Sequence, residues 1–293
     1  MTTRTVLYQY LSTCLCENLM MNEVTLLDPS DLDRLYGHVD PANRPDAVDE
    51  LKTMYEQLDQ LPGQQYRDLL NDVSRSKHML DDNHTELWNA IDHFENNPDT
   101  WLVNEENRMQ NALLEFTRNL HNYLAMCLSL RDHTYRMKDK LDRDDLDDQY
   151  SAKMAELDLI PLASFIIDLR IYMQHRRIPV VTGRTSTHVI SDAPTERTAK
   201  ILFDKTELLD WEEWKDQSHE VLDDLDDEFQ IRSIIEEYHK KLSEFYEWLF
   251  DYISELYADE IEERDELIIE MAEKQEELYP GLNEDFLNEE QTK

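Results

Sequence analysis

Glycine is scarce in this chain: 293 residues contain only Gly37, Gly63, Gly183 and Gly281, each far from the others. No glycine-rich loop able to cradle a phosphate can be assembled from them, which excludes P-loop and dinucleotide-binding readings. So few glycines also argue against a hairpin-rich β fold. Cysteine is almost as rare. Cys14, Cys16 and Cys127 make neither a zinc site nor a disulfide framework, and a reducing cytoplasm is the expected habitat. Long apolar runs are missing too: no stretch approaches the roughly 18 residues of a membrane helix, and Thr2, Thr3 and Arg4 are not followed by the apolar core of a secretory signal.

Basic residues are outnumbered. Lys and Arg total 29 against 66 Asp and Glu, for a formal net charge of -37 and a pI of about 4.4. An apolar content of 40% is nevertheless enough to build a core over this length. Residues 1–100 carry 19 acids and 7 bases, residues 101–200 carry 15 and 14, and residues 201–293 carry 32 and 8. Acid is thus spread over two separated regions that also show apolar periodicity. That distribution fits a surface adapted to molar salt better than an acidic tail or a nucleic-acid mimic.

The neutral middle stands out against this background. Leu169 to Ser191 contains no acidic residue in 23 positions, where the chain-wide frequency predicts about five, yet it holds Arg170, His175, Arg176, Arg177, Arg184 and His188. Asn107 to Arg131 carries only Glu115. A chain that acidifies nearly every surface has spared two stretches, which are either buried together or face something negative.

Periodicity predicts a mainly α protein, a multi-helix bundle with a small two-stranded β-ribbon between the middle and C-terminal helices. Four regions are expected: an N-terminal helical region over 1–100, central helices over 101–177, the ribbon over 178–205, and C-terminal helices over 206–293 packing on the same core. In the first, helices are expected at Thr5 to Met21, Asp46 to Leu61, Gln64 to Leu80 and Thr85 to Phe94, with a turn at Asp28-Pro29-Ser30 and breaks at Pro41, Pro45, Pro62-Gly63 and Asn97-Pro98-Asp99. Met109, Leu113, Phe116, Leu120, Tyr123, Cys127 and Leu130 then recur at four–three spacing, marking a central helix with Asn104 as N-cap. The aspartate-rich run from Asp142 to Asp148 reads as a solvated loop or frayed end. It lacks the glycine and terminal glutamate of a calcium loop.

Pro161 opens the next predicted helix and Pro179 stops it. Val180, Val181, Thr185, Thr187, Val189 and Ile190, then Ile201-Leu202-Phe203, predict the ribbon. Thr206 to Leu222, with Trp211 and Trp214, reads as one amphipathic helix. Ile231, Ile235, Tyr238, Leu242, Phe245, Leu249, Tyr252 and Leu256 give about four heptads of a bundle helix or coiled-coil arm, and Ile261 to Leu278 a last helix. The tryptophans and aromatic heptads are expected in the core rather than as a base-stacking platform.

One spacing in the spared window carries chemistry: Arg170-Ile171-Tyr172-Met173-Gln174-His175. Five residues place Arg170 and His175 roughly 140° apart on a helix, able to flank one cleft. Metal-free RNA cleavage needs a group that moves a proton at the 2′-hydroxyl or leaving oxygen and a fixed cation for the developing phosphorane charge. Histidine suits the first role and arginine the second. Arg118, Asn122, Ser129, His133 and Arg136 fall within about 60° of one another on the central helix, and a polar cleft is expected where that stripe meets the Arg170–His175 helix.

The R-x-x-x-x-H spacing near the end of a bundle helix resembles the signature of the HEPN superfamily, all-α and commonly dimeric proteins of which many are metal-independent ribonucleases in toxin–antitoxin, abortive-infection and CRISPR-linked systems. Ile171 stands where that family often has a polar residue. The resemblance implies Arg170 and His175 as catalytic residues. Around them Arg118, Asn122, His133, Arg136, Arg176 and Arg177 are expected to bind substrate. No metal or cofactor is implied. RNA is the expected substrate, an antitoxin or other protein a candidate partner, and a homodimer the expected assembly. The segments Arg118 to Tyr123, Asp132 to Thr134, Leu169 to Pro179 and Phe245 to Trp248 also look like a family of prokaryotic helical proteins without assigned activity. The alternative expectation is a non-catalytic helical interaction or structural protein.

Overall fold

The computed structural model describes residues 26–37, 45–97, 106–179, 181–188 and 196–281, and for 106, 107, 187, 188 and 196–198 the backbone alone. The expected helix at Thr5 to Met21, Cys14 and Cys16, the break at Pro41, the Asn104 cap and the last dozen residues lie outside this set. The described residues are mainly α, with one small antiparallel sheet. They form two compact units, residues 1–71 with 247–293, and residues 72–246. The division falls inside two long helices.

The first unit contains α1 (Pro29–Tyr36), α2 (Asp46–Leu58), the start of α3 (Pro62–Asn96), the end of α9 (Ile231–Leu256) and α10 (Ala258–Leu278). The expected turn at Asp28-Pro29-Ser30 is a helix start. Asp28 accepts a hydrogen bond from the Asp31 amide at 2.9 Å, and Pro29 takes the first helical position, where its missing N–H costs nothing. Leu32, Val48, Leu51, Met54, Leu58, Ile268 and Met271 form the core of this unit, and the buried Gln275 side chain accepts from the Leu27 amide.

The second unit is built on the rest of α3, α4 (Glu106–Leu141), α5 (Asp144–Glu156), α6 (Ile160–His175), and the sheet of β1 (Val181–His188), β2 (Glu196–Asp204) and β3 (Glu228–Phe229). Short α7 (Lys205–Leu209) and α8 (Asp216–Asp223) lie between β2 and β3, and α9 follows β3. The predicted ribbon is β1 against β2, with Val181 opposite Phe203, Gly183 opposite Ile201 and Thr185 opposite Ala199. Ala199, Ile201 and Phe203 are buried, and Phe203 meets Phe116 of α4 edge-on. The short β3 adds a third strand through Phe229 opposite Phe203.

Three further local expectations change. Gln64 to Leu80 and Thr85 to Phe94 belong to one helix: between them Asp81 and His84 meet His239 of α9, while Asp82 pairs with His78 and Asn83 bonds the Met79 carbonyl within α3 itself. The Asp142–Asp148 run is not a loop. Asp142 turns the chain at φ 47°, and Asp144, Asp145 and Asp147 occupy the first turn of α5, where the helix dipole favours acid. Thr206 to Leu222 is not one helix but α7 and α8, with Trp211 and Trp214 buried in the connection and the Trp214 indole donating to the Leu208 carbonyl at 2.7 Å. The α9 heptads Ile231, Ile235, Tyr238, Leu242 and Phe245 are all buried.

Candidate functional site

α6 is held by its apolar face. Phe165 stacks on Trp214 at 5.7 Å between ring centres, Tyr172 packs edge-on to Trp211 at 5.6 Å, and Leu162, Ile166, Leu169 and Met173 are buried around them. The aromatic residues are therefore core. A buried polar knot fixes α6 to the start of α8. Asp168, 1% exposed, accepts from the Lys215 amide and Lys215 Nζ, each at 2.9 Å, and from the Ser218 hydroxyl at 2.7 Å, while Ser218 and Ser164 share a further hydrogen bond at 2.8 Å.

With that face pinned, the C-terminal end of α6 presents its remaining residues outward. His175 is exposed in the last helical position, and Gln174 and Arg176 are exposed beside it. Arg170 is half-buried. One of its terminal nitrogens donates to Gln174 Oε1, one turn along the helix, while its Nε is buried without a hydrogen-bond partner. Arg177 has a structural position, donating to the Tyr172 hydroxyl at 3.1 Å and pairing with Glu207 at 3.0 Å.

The end of α6 adjoins the first half of α4. Gln110, Leu113, Leu114, Thr117, Arg118 and His121 line one side of an open groove of about 550 Å³, with Met173, Ile178, Pro179 and Val181 on the other. Its floor is apolar, and Leu114 and Ile178 are 67% and 61% exposed. Arg118 is exposed on the rim, 3.7 Å from Glu115. Asn122 is exposed one residue beyond His121. His133 lies about 18 Å further along the helix axis than His121, where its Nδ1 meets the Ser76 hydroxyl of α3. Arg136 is exposed beyond it. Of the site residues expected from the sequence, Arg118 alone is among those that line the groove; Arg170, His175, Arg176, Arg177, Asn122, His133 and Arg136 are not, so the cleft expected between the two helices is lined mainly by apolar residues, with His121, instead.

Sequence reasoning passed over His121 and the apolar lining. It also missed a second cluster of ionisable groups on α3, α4 and α9, although Lys77, Asp81, His84 and Trp88 at four–three–four spacing share one face of α3. Among the described residues no group of three or more His, Cys, Asp or Glu could hold a metal ion, and no helix is long and apolar enough to cross a membrane. Comparison with protein-family models, curated proteins and solved structures finds no match to this chain.

Proposed function

We propose that the chain acts on RNA at the C-terminal end of α6, as a metal-independent, HEPN-like endoribonuclease working as a homodimer in the cytoplasm, in stress or phage defence. The observation that carries this reading is the exposure of His175 at the end of the helix that also carries Arg170, inside a segment free of acid. His175 accepts the proton of the attacking 2′-hydroxyl or donates one to the leaving oxygen. Arg170 places a permanent positive charge against the phosphate oxygens as they gain charge. Arg176 and Arg118 supply further cationic contacts, and Arg177 supports the site by holding the turn after α6.

A chain of charge -37 repels RNA at low ionic strength, so the reaction belongs in molar KCl, where that repulsion is screened over about 3 Å. Incubation with total RNA in molar KCl is expected to give cleavage that His175→Ala lowers by about 10²–10⁴-fold. Cleavage unchanged in the variant, or absent from both, overturns the enzyme.

The apolar groove favours a second reading, a non-catalytic helical protein whose partner inserts apolar side chains between Leu113, Leu114 and Ile178. Leu114→Asp separates the two. It abolishes capture of a protein partner and leaves His175-dependent cleavage of RNA intact.

A further inference from the structure

α3, α4 and α9 bring together a half-buried ionisable cluster in the second unit. The rings of His84 and His239 stack face to face, 3.8 Å between centres and 7° from parallel. His84 also stacks with Trp88 at 4.9 Å, and the Arg232 guanidinium covers Trp88 at 4.8 Å, itself paired with Glu95 at 2.7 Å. His239 Nε2 lies 3.2 Å from Asp81 Oδ1, and its Nδ1 lies 3.4 Å from the Tyr123 hydroxyl. Lys77 also donates to both Asp81 oxygens, at 2.6 and 2.8 Å. Cys127 and Tyr238 are buried nearby around Tyr123. His84 Nε2 is buried with no hydrogen-bond partner.

These contacts treat the two rings unequally. A proton on His239 faces the Asp81 carboxylate. A positive charge on His84 lies against the ring face of His239, with no acceptor for its buried Nε2 and with the Lys77 ammonium on the same helix face. Asp81 is already divided between Lys77 and His239, so it cannot balance a second imidazolium. We infer that the His84–His239 stack is an acid-sensitive latch: the rings hold α3 to α9 while at most one is protonated, and a second proton drives the two helices apart at this level.

The titration of His84 has the matching direction. Burial, and then positive charge on His239, push its pKa down from 6.5 to about 4. An unfolded or opened state therefore binds a proton that the closed state refuses. The latch contributes its full stability above about pH 6.5, and that contribution is lost as pH falls toward 4.

Replacing His84 by Phe keeps a ring in the stack and removes the charge. Thermal unfolding of the intact protein between pH 7.5 and 4 tests the latch against this variant in one buffer series, so that the many other carboxylates titrate alike in both. Wild type is expected to lose about 5 °C more in Tm than His84→Phe on passing from pH 7 to 4.5. Hydrogen exchange, corrected for its intrinsic pH dependence, is expected to accelerate at residues 77–88 and 232–239 of wild type alone. Parallel Tm profiles in the two proteins overturn the latch. If His84→Phe does not fold, NMR titration of the wild-type His84 ring decides. A pKa near 4 to 5 supports the latch, and one near the free value of 6.5 removes it.

Discussion

Asp168 shows how much a single side chain organises near the candidate site. It is the last acid before the 23-residue gap, yet it faces inward, at the N-terminal end of α8. There its charge meets the exposed amides and positive dipole of a helix whose own N-cap, Lys215, has no capping side chain. The Lys215 side chain is 54% exposed and can return to water, and the Ser218 hydroxyl keeps Ser164 as a partner, but the Lys215 amide loses its acceptor and the buried serine pair loses one of its own. Asp168→Ala is therefore expected to destabilise the fold by about 1–3 kcal/mol, the range for leaving buried donors unpaired. Asp168→Asn keeps the shape and one acceptor oxygen and costs less. Urea unfolding of the three proteins checks the order. A loss below about 0.5 kcal/mol for the alanine variant would mean that water replaces the carboxylate.

At the scale of elements, two glycines mark where helices and strands come too close for a side chain. A Cβ on Gly63 would stand 2.0 Å from the Glu260 carbonyl oxygen, a backbone atom of α10, so Gly63→Ala must push α3 and α10 apart. On Gly183 it would stand 2.6 Å from Phe94 Cζ, and Phe94 is fully buried. Replacing a strand glycine by alanine ordinarily gains about 0.5–1 kcal/mol, whereas overpacking a closed core costs about 1–3 kcal/mol. Both variants are thus expected to lose stability, Gly63→Ala the more because backbone must yield. A higher Tm for either would contradict the close approach.

Much of this organisation was legible in the sequence. The heptads of α4 and α9, the prolines bounding α6 and the β-branched run of β1 announce themselves because burial imposes period. What escaped did so for physical reasons. Pro62-Gly63 reads as a helix stop, since nothing local reveals that proline begins α3 and that glycine admits a crossing helix. The polar run from Asp81 to His84 interrupts the apolar pattern because His239, which Asp81 and His84 meet, lies 158 and 155 residues away along the chain. The acid-free window drew attention to Arg170 and His175, but Arg177 and the apolar groove depend on contacts with Glu207 and α4 that no spacing within the window encodes.

For the whole molecule the governing quantity is charge. A net -37 makes compaction work against its own repulsion, and the ion pairs offset only part of it, since acids exceed bases by more than two to one. Several of the pairs are short-range and near the surface, such as Arg143 with Asp145 and Arg34 with Asp31, and pairs of this kind contribute little each. What changes with salt is therefore the long-range repulsion among unpaired carboxylates, whose reach falls from about 10 Å at 0.1 M to about 3 Å at 1 M. Raising KCl from 0.1 to 2 M is expected to increase Tm by about 10 °C or more, with most of the gain below 1 M, where screening changes fastest. The shape of the curve separates this from a general salting-out of apolar surface, which continues to grow with concentration and is stronger for sulfate than for chloride. A matched pair of titrations, in KCl and in potassium sulfate at equal ionic strength, should nearly superimpose below 0.5 M if screening governs. A Tm that is flat in KCl would mean that the carboxylates are spaced widely enough to ignore one another, and that the acid excess serves hydration or partner choice rather than stability.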